Sequence, residues 1–430
     1  MAKTLEKSVV TCDMEGRIET ISKGSERIFG YTEDELIGKK RVSIFSPGQV
    51  VLEYVPTWLE IAREEGEFNS ETVFVHKDGS PIPARIRITP TFKNGEQIGY
   101  CGVTEVLEDT PPAQVAPPIS MFTKIFRWLV VTRAPFLSAV IMPILIGAAW
   151  VAYQDIASPF PTVKFWLALI AGICLHISAN VFNDYFDWRS GTDQANNNYF
   201  LPYSGGSRSV ELGLADEKTL FRVASGALAI SAVIGLYLAF TSGPGVIAFG
   251  LAGAFLAYFY TAPPLRLAAR KGLGELSVGL AFGPLATAGT VYALTGQAPL
   301  SSFLIGIPIG LLTVLILWIN QFPDEEADKA TGKHNLVVIL GKENARWGYL
   351  LLLLAVFGMM IYLVLTGIFP PLALITLLLT PFAVFACLIV FRNFAQRSLI
   401  RANLATIQLH ALAGLLMAGS IFMAGVFFSV

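Results

Sequence analysis

Two short polar runs in an otherwise apolar chain hold the residues best suited to chemistry. ANVFNDYFDWRSGTD places Asn180, Asp184 and Asp187 at i, i+4 and i+7, and NQFPDEEADKATGK places Asn320, Asp324 and Asp328 at i, i+4 and i+8. Either spacing gathers three oxygen-bearing side chains on one face of a helix. Hard oxygen donors suit Mg²⁺, which keeps part of its water shell and is commonly shared between one or two carboxylates and substrate phosphates. The cysteines, Cys12, Cys101, Cys174 and Cys387, lie far apart and offer no zinc or CxxC spacing. Carboxylates at helix ends often do no more than solvate the helix against nearby lysines. Two copies of one pattern, each followed by a basic, glycine-containing loop, favour a functional role.

These residues need helices to carry them, and the composition says where the helices lie. The chain is 53% hydrophobic and 15% charged, too apolar for an ordinary soluble enzyme. Charge concentrates in residues 1–110; the remainder reads as successive apolar stretches of about 20 residues, enough to span a bilayer. Candidate spans fall at 134–153, 163–185, 219–241, 244–262, 274–294, 302–322, 346–367, 370–391 and 404–428, nine in all. The even-numbered connections hold most of the basic residues, among them Arg208, Arg266, Lys271, Lys333 and Arg397, whereas the odd ones read TSGPG, TGQAPLSS and TGIFPP. The positive-inside rule then puts both Asn/Asp runs and the N-terminus in the cytoplasm and the C-terminus outside, in a multi-pass inner-membrane protein. MAKTLEKSVV lacks the apolar core of a secretory signal, which agrees with that orientation. An Asp at the centre of a spanning helix costs about 2.5–3.5 kcal/mol on insertion scales, so the motif helices must turn their carboxylates inward or towards water. The net charge of −1 argues against a nucleic-acid partner.

Residues 1–110 follow a different pattern. Alternating runs such as VVTCD, RIETI, ETVFVHKDGS, ARIRITPTF and QIGYCGVTEV are broken by Asp13/Gly16, Asp78-Gly79 and Asn94-Gly95, signals for antiparallel strands and hairpins. SERIFGY, TEDELIG and a longer piece near 50–65 read as helices between them. GSERIFGYTEDELIGKK with FVHKDGSPIPARIRITP resembles a PAS domain. The resemblance implies a sensor that binds a ligand or mediates contacts, dimerisation included. His76 is expected on a solvated hairpin edge, and Cys12 and Cys101 lie outside the segment of a flavin-reactive PAS, so no chromophore is implied. EDTPPAQVAPP clusters four prolines into a semi-rigid spacer, and ISMFTKIFRWLVVTR suits a helix lying in the membrane interface.

NDYFDWRSGTD and DEEADKATGKHNLVVILG resemble the two aspartate-rich motifs of the UbiA superfamily of membrane prenyltransferases, with the likeness running over about residues 125–430. The expected fold is multi-domain: an all-α polytopic bundle of nine UbiA-like transmembrane helices preceded by a small α+β PAS domain. Its parts are the sensor at 1–110, the Pro-rich linker and start of the interfacial helix at 111–125, and the membrane domain at 126–430. The resemblance implies a central cavity where Asn180, Asp184, Asp187, Asp324 and Asp328 hold Mg²⁺, two ions, against an allylic diphosphate. Asn320 would support the second site, and Asn183 joins the substrate-binding set. Gly191 stands where the family often has a further Asp, and Asp193 follows it, a spacing that resembles the naphthoate branch. Asp193 is left open between metal ligand, cation-orienting group and a role on the acceptor.

Other groups are weaker on sequence alone. Gly205 and Gly206 permit close backbone approach beside Arg208, a cation for phosphate. Tyr260 stands in the family's Tyr-containing loop, but Pro264 replaces the Lys of its Tyr-x₃-Lys form, so Arg266 or Lys271 would supply the charge or else set topology. Lys333, beside the second motif, is better placed to meet diphosphate. Arg133 in TRAPF resembles an Arg-x-Pro region that meets an acceptor carboxylate, with membrane anchoring as the other reading. His176, one turn before Asn180, reads as a packing or hydrogen-bonding residue outside the site. The implied reaction joins a polyprenyl diphosphate to an aromatic acceptor, 1,4-dihydroxy-2-naphthoate of the menaquinone pathway first. The alternatives are 4-hydroxybenzoate, homogentisate, haem or a glycerophospholipid precursor, and, outside enzymes, a PAS-linked receptor or transporter.

Overall fold

The computed structural model describes residues 7–196 and 206–428. Packing divides the chain into two units: Met1–Val131 with Arg208–Asp216, and Thr132–Ser207 with Glu217–Val430. In the first unit, strands β1 (Lys7–Asp13), β2 (Ile18–Ile21), β3 (Phe68–Val75), β4 (Pro81–Lys93) and β5 (Glu96–Val106) form one antiparallel sheet in the order β2-β1-β5-β4-β3. The β4–β5 hairpin turns at Asn94 and Gly95, both at positive φ (54° and 85°), which Asn-Gly tolerates and other pairs resist. Alternation along β4 buries Ala84, Ile86 and Ile88 and leaves Arg85 and Arg87 outside, facing Glu71 and Glu67 across the strands at 2.8 and 2.7 Å. The buried face meets helices Lys23–Phe29 and Val55–Glu65 around Phe29, Phe45, Trp58, Phe74 and Tyr100. His76 is half-buried on the β3–β4 turn, 3.0 Å from Asp78.

The proline-rich segment stays on this unit: Ser120 N–H donates to Glu53 at 3.0 Å, and the Tyr54 hydroxyl donates to the Pro118 carbonyl. Helix Met121–Val131 follows and exposes Met121, Phe122, Ile125 and Leu129 on a continuous stripe, the surface an interfacial helix presents to lipid.

In the second unit, eight helices among the described residues are long and apolar enough to cross a membrane: Ala134–Tyr153, Thr162–Arg189, Glu217–Ser242, Leu273–Thr295, Leu300–Ala330, Leu336–Leu365, Pro371–Asn393 and Arg397–Phe427. The expected ninth, 244–262, is a shorter apolar helix, Gly245–Phe259. Its 15 residues reach about 22 Å at 1.5 Å per residue, less than the roughly 30 Å hydrocarbon core. Pro263 and Pro264 cut it short, because proline brings no N–H and disfavours helix in the residue before it.

Leu300–Ala330 is the most deeply buried span, packed through Ile309, Leu312, Leu315, Trp318 and Phe322. Trp318 Nε1–H donates to Ala345 O at 2.9 Å and Trp150 Nε1–H to Ile368 O at 3.3 Å, so both indoles stay satisfied inside the bundle. Leu273–Thr295 comes close to the central span where glycine faces glycine: a Cβ on Gly310 would stand 2.5 Å from Gly279 O. Its helix widens to a π turn at Ala281–Leu285, where Gly283 leaves helical geometry ahead of Pro284.

Candidate active site

The first Asn/Asp run closes helix Thr162–Arg189 and the second closes helix Ile307–Ala330. Lys333 joins them. The chain leaves the second helix through Thr331 and Gly332, and Gly332 at φ 75° turns it back so that Lys333 Nζ lies 2.8 Å from Asp187 and 3.7 Å from Asp328. Asp328 is buried and also accepts from Asn335 Nδ2 at 2.8 Å. Asn335 holds the next helix as well, its Oδ1 accepting from Val338 N–H. Burial opposes the charge on Lys333, but Asp187 and Asp328 outweigh it, and the ammonium is held above its ordinary range.

Asp184 is 2% exposed and accepts from the Arg133 guanidinium and from both the N–H and the hydroxyl of Ser207. Beside it, Gly206 adopts φ 77°, and a Cβ there would stand 2.9 Å from both Asp184 Oδ1 and Arg133 Nη2, so the backbone approaches in a way only glycine permits. Arg133 is held above its ordinary range because Asp184 chiefly, with Asp187 and Asp193, outweighs burial. Asp193 is buried in the short turn after Gly191, and the same turn ends at Asn196, whose Nδ2 donates to Asp324 at 2.7 Å. Asn183 Nδ2 donates to Asp187 at 3.0 Å. The first motif, its following turn and the second motif are thereby one hydrogen-bonded set.

Two members of this set, Arg133 and Asn183, also line a cavity of about 370 Å³. Arg133, Asn180, Asn183, Tyr260 and Asn320 line it together with His176, and the walls are apolar, with Phe136, Val140, Leu238, Phe249, Leu256 and Phe282 among them. Asn320 presents its amide oxygen to Asn403 at 2.8 Å. Burial, reinforced by Glu275, raises the Tyr260 hydroxyl above its ordinary value, so it stays protonated as a donor.

Arg208 belongs to the first unit and pairs with Glu211 at 2.6 Å. Arg266 is half-buried and Lys271 exposed, and among the described residues no ion pair joins either to a motif carboxylate. Gly205 lies outside the described residues.

The donor set fits Mg²⁺. Its ligands are carboxylate and amide oxygens, and among the described residues no three acidic, His or Cys side chains converge tightly enough to cage an ion by themselves. Mg²⁺ takes one or two carboxylates and completes its octahedron with water and phosphate oxygens.

A profile described as the UbiA prenyltransferase family matches residues 140–413. The chain belongs to the UbiA prenyltransferase family. A PAS domain profile matches residues 6–110. The 1,4-dihydroxy-2-naphthoate octaprenyltransferase of Bacillus subtilis is 28% identical over 66% of this chain and 89% of its own length. That of Mycobacterium tuberculosis is 32% identical over 52% and 73%, and the 2-carboxy-1,4-naphthoquinone phytyltransferase of Synechocystis is 29% identical over 54% and 71%. In three dimensions, the UbiA homolog from Archaeoglobus fulgidus bound to DMAPP and Mg²⁺ shares the fold at TM-score 0.52 and 16% identity, covering 70% of this chain and 99% of that one. This UbiA enzyme is thus a membrane prenyltransferase carrying an N-terminal PAS domain.

Four contributors in this UbiA chain escape sequence reasoning. Asn196, Ser207 and Asn335 hold motif carboxylates, yet each is a common polar residue in a loop; only the Asn335 helix-cap position was readable. Glu275 is buried, accepting from Gln321 Nε2 at 3.1 Å and Leu336 N–H at 2.9 Å, which pins the loop carrying Lys333. A lone acid in an apolar helix was the available signal.

Proposed function

We propose that this enzyme transfers a polyprenyl group from its diphosphate to 1,4-dihydroxy-2-naphthoate, in a Mg²⁺-dependent step of menaquinone synthesis at the cytoplasmic face of the inner membrane. The observation that carries the reading is Lys333 tying Asp187 to Asp328, with Asp187 also held by Asn183, which lines an apolar cavity. A diphosphate fits the charged cluster and an isoprenoid the cavity. The names of the relatives, two of them naphthoate octaprenyltransferases, support the acceptor.

Asn180, Asp184, Asp187, Asp324 and Asp328 would hold two Mg²⁺ ions, which supply neutralisation of the charge that grows on departing diphosphate. Lys333 and Arg133 add fixed positive charge there, already oriented by the carboxylates before substrate arrives. The allylic C–O bond breaks and its electron pair leaves with diphosphate. Phe249, Phe282 and Tyr260 present ring faces or edges to the cavity and shield the allylic cation from water. The electron-rich acceptor ring supplies the pair for the new C–C bond and releases a ring proton; its carboxylate leaves as CO₂ and a proton takes that position, giving demethylmenaquinol. The sensor domain regulates this site. Segment Arg208–Asp216 packs with the PAS unit, where Gly48 N–H donates to Leu212 O, and the residue before it is Ser207, which holds Asp184.

Diphosphate release by the lipid-reconstituted full chain, given geranylgeranyl diphosphate, acceptor and Mg²⁺, tests the reading. Asp184→Ala and Asp328→Ala should each lose release; unchanged release in both would return the chain to a receptor or transporter role.

A further inference from the structure

His176 lies one turn before Asn180 on the same helix, 4% exposed, and lines the same cavity. Asn180 Nδ2 stands 2.8 Å from His176 Nε2 and 3.2 Å from the His176 carbonyl oxygen. A carbonyl only accepts, so the amide atom facing it is the nitrogen, and that nitrogen has only protons to offer the ring. Nε2 therefore accepts. In the neutral imidazole the proton is then on Nδ1.

That Nδ1–H is buried and has no partner among the described residues. The ring packed against His176 is Phe282, edge to face with centroids 5.4 Å apart, which brings no acceptor atom. Neighbouring polar groups on the cavity wall are already engaged: Asn320 Oδ1 accepts from Asn403, and the Thr313 hydroxyl donates to Ile309 O at 2.9 Å. A buried donor without an acceptor carries a desolvation cost that a ligand oxygen removes. His176 also spends both amide protons of Asn180, so the Asn180 oxygen is the atom left for the metal and diphosphate.

We propose that His176 is an acceptor-binding residue: its Nδ1–H donates to a ring oxygen of the aromatic acceptor while Nε2 fixes the Asn180 amide. The proposal rests on the prenyl-transfer reading above and adds to it a residue that recognises the ring's oxygen substituent. One imidazole then touches both halves of the reaction, setting the acceptor beside the allylic carbon whose diphosphate the Asn180 motif holds.

Two substitutions separate the ring nitrogens. His176→Asn places an amide near the position of Nδ1 and keeps a donor for the acceptor; His176→Gln places its amide near Nε2, keeps the partner of Asn180 and drops the Nδ1 donor. In the lipid-reconstituted full chain, His176→Gln should raise KM for 1,4-dihydroxy-2-naphthoate about tenfold, with KM for geranylgeranyl diphosphate unchanged. His176→Asn should keep the acceptor KM near wild type and raise that for the diphosphate. Discrimination between 1,4-dihydroxy-2-naphthoate and 1-hydroxy-2-naphthoate, which lacks one ring oxygen, is at least tenfold in wild type and collapses in His176→Gln. Wild-type turnover with an unchanged acceptor KM in His176→Gln overturns the role of His176 and leaves the prenyl-transfer reading standing. Absence of product from wild type with any aromatic acceptor overturns both. If the Gln variant does not fold, the wild-type comparison decides: equal kcat/KM for the two naphthoates refutes the proposal.

Discussion

Replacing Lys333 by Met removes the cation that joins the two motifs and keeps the length of the side chain. With an effective dielectric of about 20, attractions at 2.8 Å to Asp187 and 3.7 Å to Asp328 amount to about 6 and 4.5 kcal/mol before desolvation is subtracted. Desolvation consumes much of that sum, but breaking a buried pair strands the remaining charges and costs about 3–5 kcal/mol. Lys333 keeps 11% of its side chain exposed, so water relieves part of the repulsion and the lower end, about 3 kcal/mol, applies. At roughly 2 °C per kcal/mol for a unit of this size, the variant should unfold roughly 6 °C below wild type in EDTA. Mg²⁺ with inorganic diphosphate should restore most of the difference, because a divalent cation takes over the neutralisation. Turnover should fall about 10²- to 10³-fold, the usual effect of deleting one preorganised charge-stabilising group. Thermal unfolding of the purified protein in detergent reads the first effect and product formation the second. Wild-type unfolding in EDTA together with wild-type turnover would show that Asp187 and Asp328 do not depend on Lys333.

Three further outcomes follow from particular contacts. Gly310→Val puts a Cβ 2.5 Å from Gly279 O and should cost about 1–3 kcal/mol by overpacking, seen as a lower yield of monodisperse protein; Gly358→Val, whose position is open, should not lower it. Gly213→Ala drives a Cβ to 2.8 Å from Pro47 and should displace segment Arg208–Asp216, lowering kcat several-fold. Gly66→Ala carries the same positive-φ strain in open space and is the control; equal kcat in the two variants would remove this route for PAS regulation. Burial pushes the Cys12 thiol up from 9.0 to about 12, so alkylation in the folded protein should be roughly a thousandfold slower than after unfolding and slower than at the half-exposed Cys101. A folded-state value above the unfolded one also means that the contribution of Cys12 to stability is intact below about pH 9 and is lost as pH rises towards 12. Equally fast labelling of folded and unfolded protein at pH 8 would contradict the burial.

What the sequence discloses here depends on whether a residue acts through its own periodicity or through distant neighbours. The i, i+4, i+7 pattern of Asn180, Asp184 and Asp187 is local, and it places the motif on one helix before any fold is known. The turn at Asn94-Gly95 is likewise settled by two residues. Lys333 is readable as a cation beside the second motif and Arg133 as an acceptor contact or membrane anchor, but the carboxylates they reach are not, because the pairing of Lys333 with Asp187 crosses from one helix to another. The sequence reads His176 as a packing residue, since a single apolar-face histidine usually packs; only the 2.8 Å bond to Asn180 and the orphaned Nδ1 single it out. The helix within 244–262 is shorter than its apolar run, because Pro263 and Pro264 end it early. The π turn at Gly283 depends on the close approach of Gly306 and Gly310, a tertiary contact that no window of hydropathy contains.

The acceptor and the metal dependence are tested most directly by product analysis with the purified, lipid-reconstituted full chain, given geranylgeranyl diphosphate, Mg²⁺ and equal amounts of 1,4-dihydroxy-2-naphthoate and 4-hydroxybenzoate. The expected product is a prenylated naphthol formed with one CO₂ and one diphosphate per turnover, none from 4-hydroxybenzoate, and none of either in EDTA. Prenylated 4-hydroxybenzoate as the main product, or full turnover in EDTA, would contradict it.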